Sequence, residues 1–272
     1  MIPAAYITEW RSHAPWTQNA WVEQDLIISR ALVDIFGADG LADSLAFRGG
    51  TALFKLYLTP AARYSEDIDL VQTRAEPIGD TLDRVRSVLD PWLGTPRRVL
   101  KEGRVNLLYR FESEDVPPLR LRLKIEINSR EHFSELGLVR MPFRVDSSWF
   151  SGAAEVNTFA IDELLATKLR ALYQRKKGRD LFDLWLALER GIIDPPRLLA
   201  CFDRYMTEGG QAVSRAQFEA NLHEKRTAPL FRSDIDPLLR PGLGWDLDVA
   251  MDAVLEKLVA HLPGEPWKGL SE

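Results

Sequence analysis

Residues 119–128, LRLRLKIEIN, alternate apolar and polar side chains from Arg120 onward without a break. Successive side chains of a strand point to opposite faces. Leu121, Leu123, Ile125 and Ile127 therefore share one face, and Arg120, Arg122, Lys124, Glu126 and Asn128 share the other. A chain with such a segment must build a sheet that rests one face on a core and leaves the other polar. Upstream, VNLLYRF (105–111) is also strand-like, and EDVPP between the two supplies a turn, so a hairpin is expected. Glu126, on the polar face, has two readings: a third carboxylate of a metal site, or a cross-strand ion pair with a neighbouring Arg or Lys. The pattern does not choose between them.

The remaining chain divides by periodicity. Segment 17–36 carries Val22, Leu26, Ala31 and Ile35 near helical spacing behind a possible Thr17 cap. A short strand ending at Phe47 leads into paired glycines and a helix, EDIDLVQ (66–72) reads as a core strand, and 80–93 reads as a helix closed by Pro91 and the Gly94–Pro96 turn. SGAAEVN (151–157) is linker-like, and mostly helical sequence follows it. The expected fold class is α+β, with a mixed sheet and flanking helices in residues 1–152 and a helical domain in 153–272.

Composition narrows the function classes. Hydrophobic residues at 46% and charged residues at 28% fit a globular chain of 272 residues. The N-terminus, MIPAAYITEW, lacks a basic segment followed by an apolar run, and no stretch approaches the roughly 20 apolar residues that span a bilayer. Cys201 is the single cysteine and there are four histidines, so an intramolecular disulfide is excluded and a zinc site is not expected. These features point to a soluble, cytoplasmic protein. A net charge of −5 argues against a non-specific polyanion binder but allows a nucleic acid held by one local basic patch.

Chemistry concentrates in three places. Gly49-Gly50-Thr51 precedes a helix, and Ser65-Glu66-Asp67-Ile68-Asp69 follows it. Asp67 and Asp69, two apart on a strand, present adjacent carboxylates that repel unless a cation lies between them. Hard oxygen donors of this kind suit magnesium, which takes one or two carboxylates together with substrate phosphates. The glycines let backbone amides approach an anion, and the helix start adds a favourable dipole. A bare D-x-D is more often a solvated strand end; the glycine turn one helix upstream favours the site. No other phosphate-loop pattern is present.

The second place is 161–188, where Ile161, Leu164, Leu165, Leu169 and Leu172 make an apolar helical stripe with Lys168 inside it. Asp180 and Asp183 share a face of the next helix. Lys168 either pairs with these aspartates as structural glue or contacts a triphosphate, and both roles can coexist. The third place is the run Arg175-Lys176-Lys177-Gly178-Arg179, the densest basic patch and a candidate RNA contact; the plain alternative is a solvated helix end. Arg97, Arg98, Lys101 and Arg104 make a weaker patch.

Taken together, FRGGTALFKLYL, RYSEDIDLV, KIEIN, the helix around LLATKLRAL, and GRDLFDLW resemble the nucleotidyltransferase superfamily. Within it they resemble the AbiEii/AbiGii (MenT-like) toxins of type IV toxin–antitoxin systems. The matching stretches span residues 47 to 185. The resemblance implies a nucleotidyltransferase-type sheet, with the helical domain completing the active-site cleft. It implies that Gly49, Gly50, Thr51 and Ser65 bind the nucleotide and that Asp67 and Asp69, with Glu126 as a third candidate, hold Mg2+ or Mn2+. It also implies that Lys168 contacts the NTP, that Asp183 belongs to the active site, and that Asp180 shares its motif. Thr51 stands where the superfamily more commonly has serine and keeps the hydroxyl. The implied activity is nucleotide transfer from an NTP to RNA, with tRNA 3′ ends as acceptor and a cognate antitoxin as partner. The alternatives are an antibiotic-type transferase acting on a small molecule, and a non-catalytic nucleotide-binding protein acting through a partner.

Overall fold

The computed structural model describes residues 2–269. The chain forms two compact units that divide between Phe159 and Ala160. The first is built on seven strands: β1 (Leu45–Arg48), β2 (Asp67–Gln72), β3 (Arg97–Lys101), β4 (Arg104–Glu112), β5 (Arg120–Asn128), β6 (Leu138–Asp146) and β7 (Ser151–Phe159). They form one mixed sheet in the order β3-β4-β5-β2-β1-β7-β6. The β1–β7 and β2–β5 pairs are parallel and the others antiparallel. The α+β expectation holds. The hairpin is in place, with Leu123, Ile125 and Ile127 fully buried on one face of β5.

Helices of this unit are α1 (Ala4–Trp10), α2 (Asn19–Phe36), α3 (Leu41–Ser44), α4 (Gly49–Ala52), which runs on as a wider turn over Leu53–Tyr57, and α5 (Gly79–Leu93). α2 packs against β5, β6, β7 and α5 and is buried nearly all round, including Glu23, Gln24 and Asp25. Buried polar groups need partners, and these have them. The Gln24 amide donates to the carbonyls of Glu66 (3.2 Å) and Arg122 (2.9 Å), fastening the start of β2 to β5. Asp25 accepts from Trp10 Nε1 at 2.9 Å and from Lys55 Nζ at 2.7 Å.

Three local expectations change. α2 begins at Asn19 with Gln18 at its cap position, so Thr17 does not cap it. β3 and β6, the two sheet edges, were not foreseen: β3 is RRVLK, dominated by charge, and β6 carries Pro142, which an edge strand tolerates because it need not donate there. The linker-like SGAAEVN is most of β7. Its small residues mark close packing instead of a connection: a Cβ on Gly152 would lie 2.9 Å from Val33 and 3.0 Å from Phe150. That strand carries the first unit through Phe159.

The second unit is helical: α6 (Ile161–Gln174), α7 (Gly178–Glu189), α8 (Pro195–Glu208), α9 (Arg215–Arg226), α10 (Pro229–Arg232) and α11 (Leu247–Lys257). The apolar stripe of α6 packs on α7 and α8, with Leu164, Leu165, Leu169 and Leu172 at most 2% exposed. Each such leucine contributes about 1.5–3 kcal/mol. Asp194 caps α8, and a Ser214/Gln217 capping box starts α9. No helix of the described residues is long and apolar enough to cross a membrane.

Candidate active site

In the first unit the chain leaves β1 at Arg48, turns at Gly49 with φ +83°, and enters α4. β1 and β2 are antiparallel with Arg48 opposite Asp69, so this turn lies beside the second aspartate. A Cβ on Gly49 would sit 2.4 Å from Asp69 Oδ2, and one on Gly50 would sit 2.4 Å from the guanidinium of Arg63. Gly49 is therefore required by the turn and by Asp69, while Gly50, whose φ is not positive, leaves room for the Arg63 guanidinium. Thr51 Oγ1 donates to the Asp67 carbonyl at 2.5 Å, which leaves Ser65 Oγ to donate to Thr51 Oγ1 across 2.7 Å. Thr51 is 2% exposed, and its hydroxyl ties the glycine turn to the first aspartate. Gly49→Ala should therefore cost stability, about 1–2 kcal/mol from the backbone alone, and displace Asp69; a melting curve matching the native protein would contradict this placement.

β5 completes the site. Its parallel register with β2 sets Lys124 opposite Asp67 and Glu126 opposite Asp69, all on the polar face. Lys124 Nζ lies 2.7 Å from Asp67 Oδ2 and 3.8 Å from Glu126 Oε2, while Arg104 approaches Glu126 at 3.6 Å. Glu126 thus has the ion pairs of its plain reading and also a place beside the two aspartates. Burial raises the pKa of Asp69 above the ordinary carboxylate value, and the charge of Asp67 adds to the rise; Lys124 and Arg48 oppose it. Burial also raises Asp67, against the hydrogen bond from Lys124. For Lys124 burial acts downward, but its bond to Asp67 and the surrounding carboxylates win and its pKa is raised. No group of three or more His, Cys, Asp and Glu among the described residues is arranged as a metal cluster. Two aspartates on one face, each disfavoured as an anion by burial, nevertheless suit a magnesium ion whose other ligands are water and phosphate.

Lys124 and Gln24 were not singled out from the sequence. Lys124 was legible, because it stands two residues before Glu126 in an alternating strand. Arg63, 2% exposed, is a further addition: it donates to the Tyr64 carbonyl at 3.0 Å and stacks on Phe54 beneath Gly50.

The second unit gathers the other candidates. Lys168 Nζ, on α6, lies 2.9 Å from Asp183 Oδ2 and 3.3 Å from Asp180 Oδ1, both on α7 and both fully buried. Arg175 grips Asp180 through two bonds of 2.6 and 2.8 Å. Burial pushes the Asp180 pKa up, but Lys168 and Arg175 outweigh it and hold it below the ordinary value. The basic run is paired throughout: Lys176 with Glu224, and Lys177 and Arg179 with Asp234 at 3.2 and 3.4 Å.

A family model described as nucleotidyl transferase AbiEii toxin, type IV toxin–antitoxin system, matches residues 30–253. The chain belongs to the AbiEii nucleotidyltransferase toxin family. Among solved structures, MenT4, a nucleotidyltransferase toxin of Mycobacterium tuberculosis, superimposes with a TM-score of 0.59 at 18% identity, covering 94% of this chain and 90% of that one. JHP933 of Helicobacter pylori gives a TM-score of 0.53 at 17% identity, covering 88% and 90%. No curated protein matches. At these identities the neighbours show the fold alone, and the AbiEii assignment rests on the family match.

Proposed function

We propose that this AbiEii-family chain transfers a nucleotide from an NTP to an RNA acceptor, with tRNA 3′ ends as the class of substrate. The observation that carries the reading is the pair Asp67 and Asp69, two apart on β2 and wedged between the Gly49–Gly50 turn and β5. In this reaction an acceptor hydroxyl oxygen bonds to the α-phosphorus, the bond to the β-phosphate breaks, the hydroxyl proton is lost to solvent, and pyrophosphate leaves. Such chemistry needs little from the protein beyond position and charge.

Asp67 and Asp69 would hold Mg2+ or Mn2+, which when bound supplies positive charge at the α-phosphate and acidifies the attacking hydroxyl. The Thr51–Ser65 hydroxyl pair fixes the carbonyl of Asp67, and the Gly49–Gly50 amides would bind a phosphate of the NTP. Lys124 holds Asp67 in place and stands ready to meet a phosphate oxygen. Lys168, positioned by Asp183, would offset charge on the triphosphate and the leaving pyrophosphate. Lys176, Lys177, Arg179 and Arg175 would contact the RNA backbone; of these only Lys176 is held by an exposed carboxylate, Glu224, in a pair worth about 0–1 kcal/mol that a phosphate can displace. A cognate antitoxin follows from the type IV family.

Incubating the protein with each labelled NTP, magnesium and total cellular RNA tests this reading. Label is expected in RNA of tRNA size. Label confined to small molecules would favour the antibiotic-type reaction, and no transfer to any acceptor would leave a binding protein.

A further inference from the structure

The face of the sheet that bears Asp67 and Asp69 does not end at β5. The registers β5–β4 and β4–β3 carry it outward through Arg120 and Arg122, then Arg104 and Arg110, then Arg97 and Lys101. All six are exposed. With strands about 4.8 Å apart, the track reaches some 14 Å sideways from β2. On these three strands the same face holds only Glu112 and Glu126 as acids, although the chain as a whole is negative.

Two observations separate this surface from an ordinary solvated face. Arg97, Lys101, Arg110, Arg120 and Arg122 have no carboxylate within ion-pair distance among the described residues, whereas every cation of the 175–179 run has one. Arg110 and Arg122 moreover stand directly opposite each other across the antiparallel pair. Like charges in that position destabilise a sheet, so the arrangement costs stability unless an anion joins it.

We propose that this β3–β4–β5 face is the track along which the RNA acceptor lays its phosphate backbone, leading its reactive end to Asp67 and Asp69. The inference rests on the RNA-acceptor reading. Five of the six cations are arginines, whose planar guanidinium matches phosphate through paired hydrogen bonds. The face offers Val99 and Leu108, both half-buried, as its apolar content, too little for the apolar centre of a protein interface.

The test uses the full chain with Arg97→Gln and Arg110→Gln combined. Both residues are exposed and unpaired, and removing one of the opposed arginines relieves repulsion, so the melting temperature should be unchanged or raised. Affinity for a labelled tRNA-sized RNA, measured across a salt series, should fall about tenfold, and the salt dependence should flatten by about two contacts. NTP binding should match the native protein. If the native chain binds RNA and the variant binds it with the same affinity and slope, the track is wrong while the RNA reading stands. If the native chain binds no RNA, the acceptor reading itself fails and takes the track with it. Polyglutamate that displaces the RNA at equal charge would assign the face to an acidic protein instead.

Discussion

Asp69→Asn abolishes nucleotide transfer while raising the melting temperature at neutral pH. The two effects share one cause. Burial and the neighbouring Asp67 raise the folded-state pKa of Asp69, so folding disfavours its ionised form. For a carboxyl with a raised folded pKa, stability is lost as pH rises from the unfolded value through the folded one, and the penalty is complete above it. At neutral pH an amide escapes that penalty. It also withdraws the negative oxygen that a cation and the reacting phosphate require, and a loss of three decades or more in rate, about 4 kcal/mol, is expected. Asp67→Asn should be equally inactive and gain less stability, because burial raises its pKa too but the bond from Lys124 that opposes the rise is lost with the carboxylate. Thermal melts on both variants, with and without magnesium, check the pair. A destabilised Asp69→Asn protein would mean that its carboxylate is a structural anchor.

Lys168→Met should lower the stability of the helical unit by about 3–5 kcal/mol, since it breaks the ion pair to fully buried Asp183. A fall on the order of 10 °C in melting temperature follows. Asp180 keeps its two bonds to Arg175, so the cost arises from the lost Lys168–Asp183 ion pair. Lys168→Met combined with Asp183→Leu should recover most of the loss, as apolar replacements of buried pairs commonly do. The double variant then separates the two roles of Lys168. Normal NTP affinity in that stable protein would make the Lys168–Asp183 pair structural glue, and lost affinity would make the pair part of the nucleotide site too.

Much of this architecture was legible before any coordinates, for identifiable reasons. Strict alternation fixed the faces of β5, and EDVPP fixed the hairpin. D-x-D behind a glycine turn located the carboxylates because period-two geometry needs no tertiary knowledge. What escaped depended on distant partners. Gln24 reads as one polar residue in a helix, and its role emerges only where the carbonyls of Glu66 and Arg122 meet it. β7 was masked by small residues whose smallness serves contact with Val33 and Phe150. β3 was masked by charge, since an edge strand has no need of an apolar face. The basic run at 175–179 was conspicuous in sequence, yet its charge is spoken for by Asp180, Glu224 and Asp234. The less conspicuous cations of β3, β4 and β5 converge only after the strands pair.

The central claim is that Asp67 and Asp69 direct transfer of the nucleotidyl group itself. Two parallel reactions test it most directly: the NTP that supports transfer, labelled either on its α-phosphate or on its γ-phosphate, given to the native chain and to Asp69→Asn with the same RNA and magnesium. The native chain should move the α-label into RNA and release the γ-label as pyrophosphate, and Asp69→Asn should do neither. γ-Label entering RNA, or α-label moved equally well by Asp69→Asn, would contradict the account.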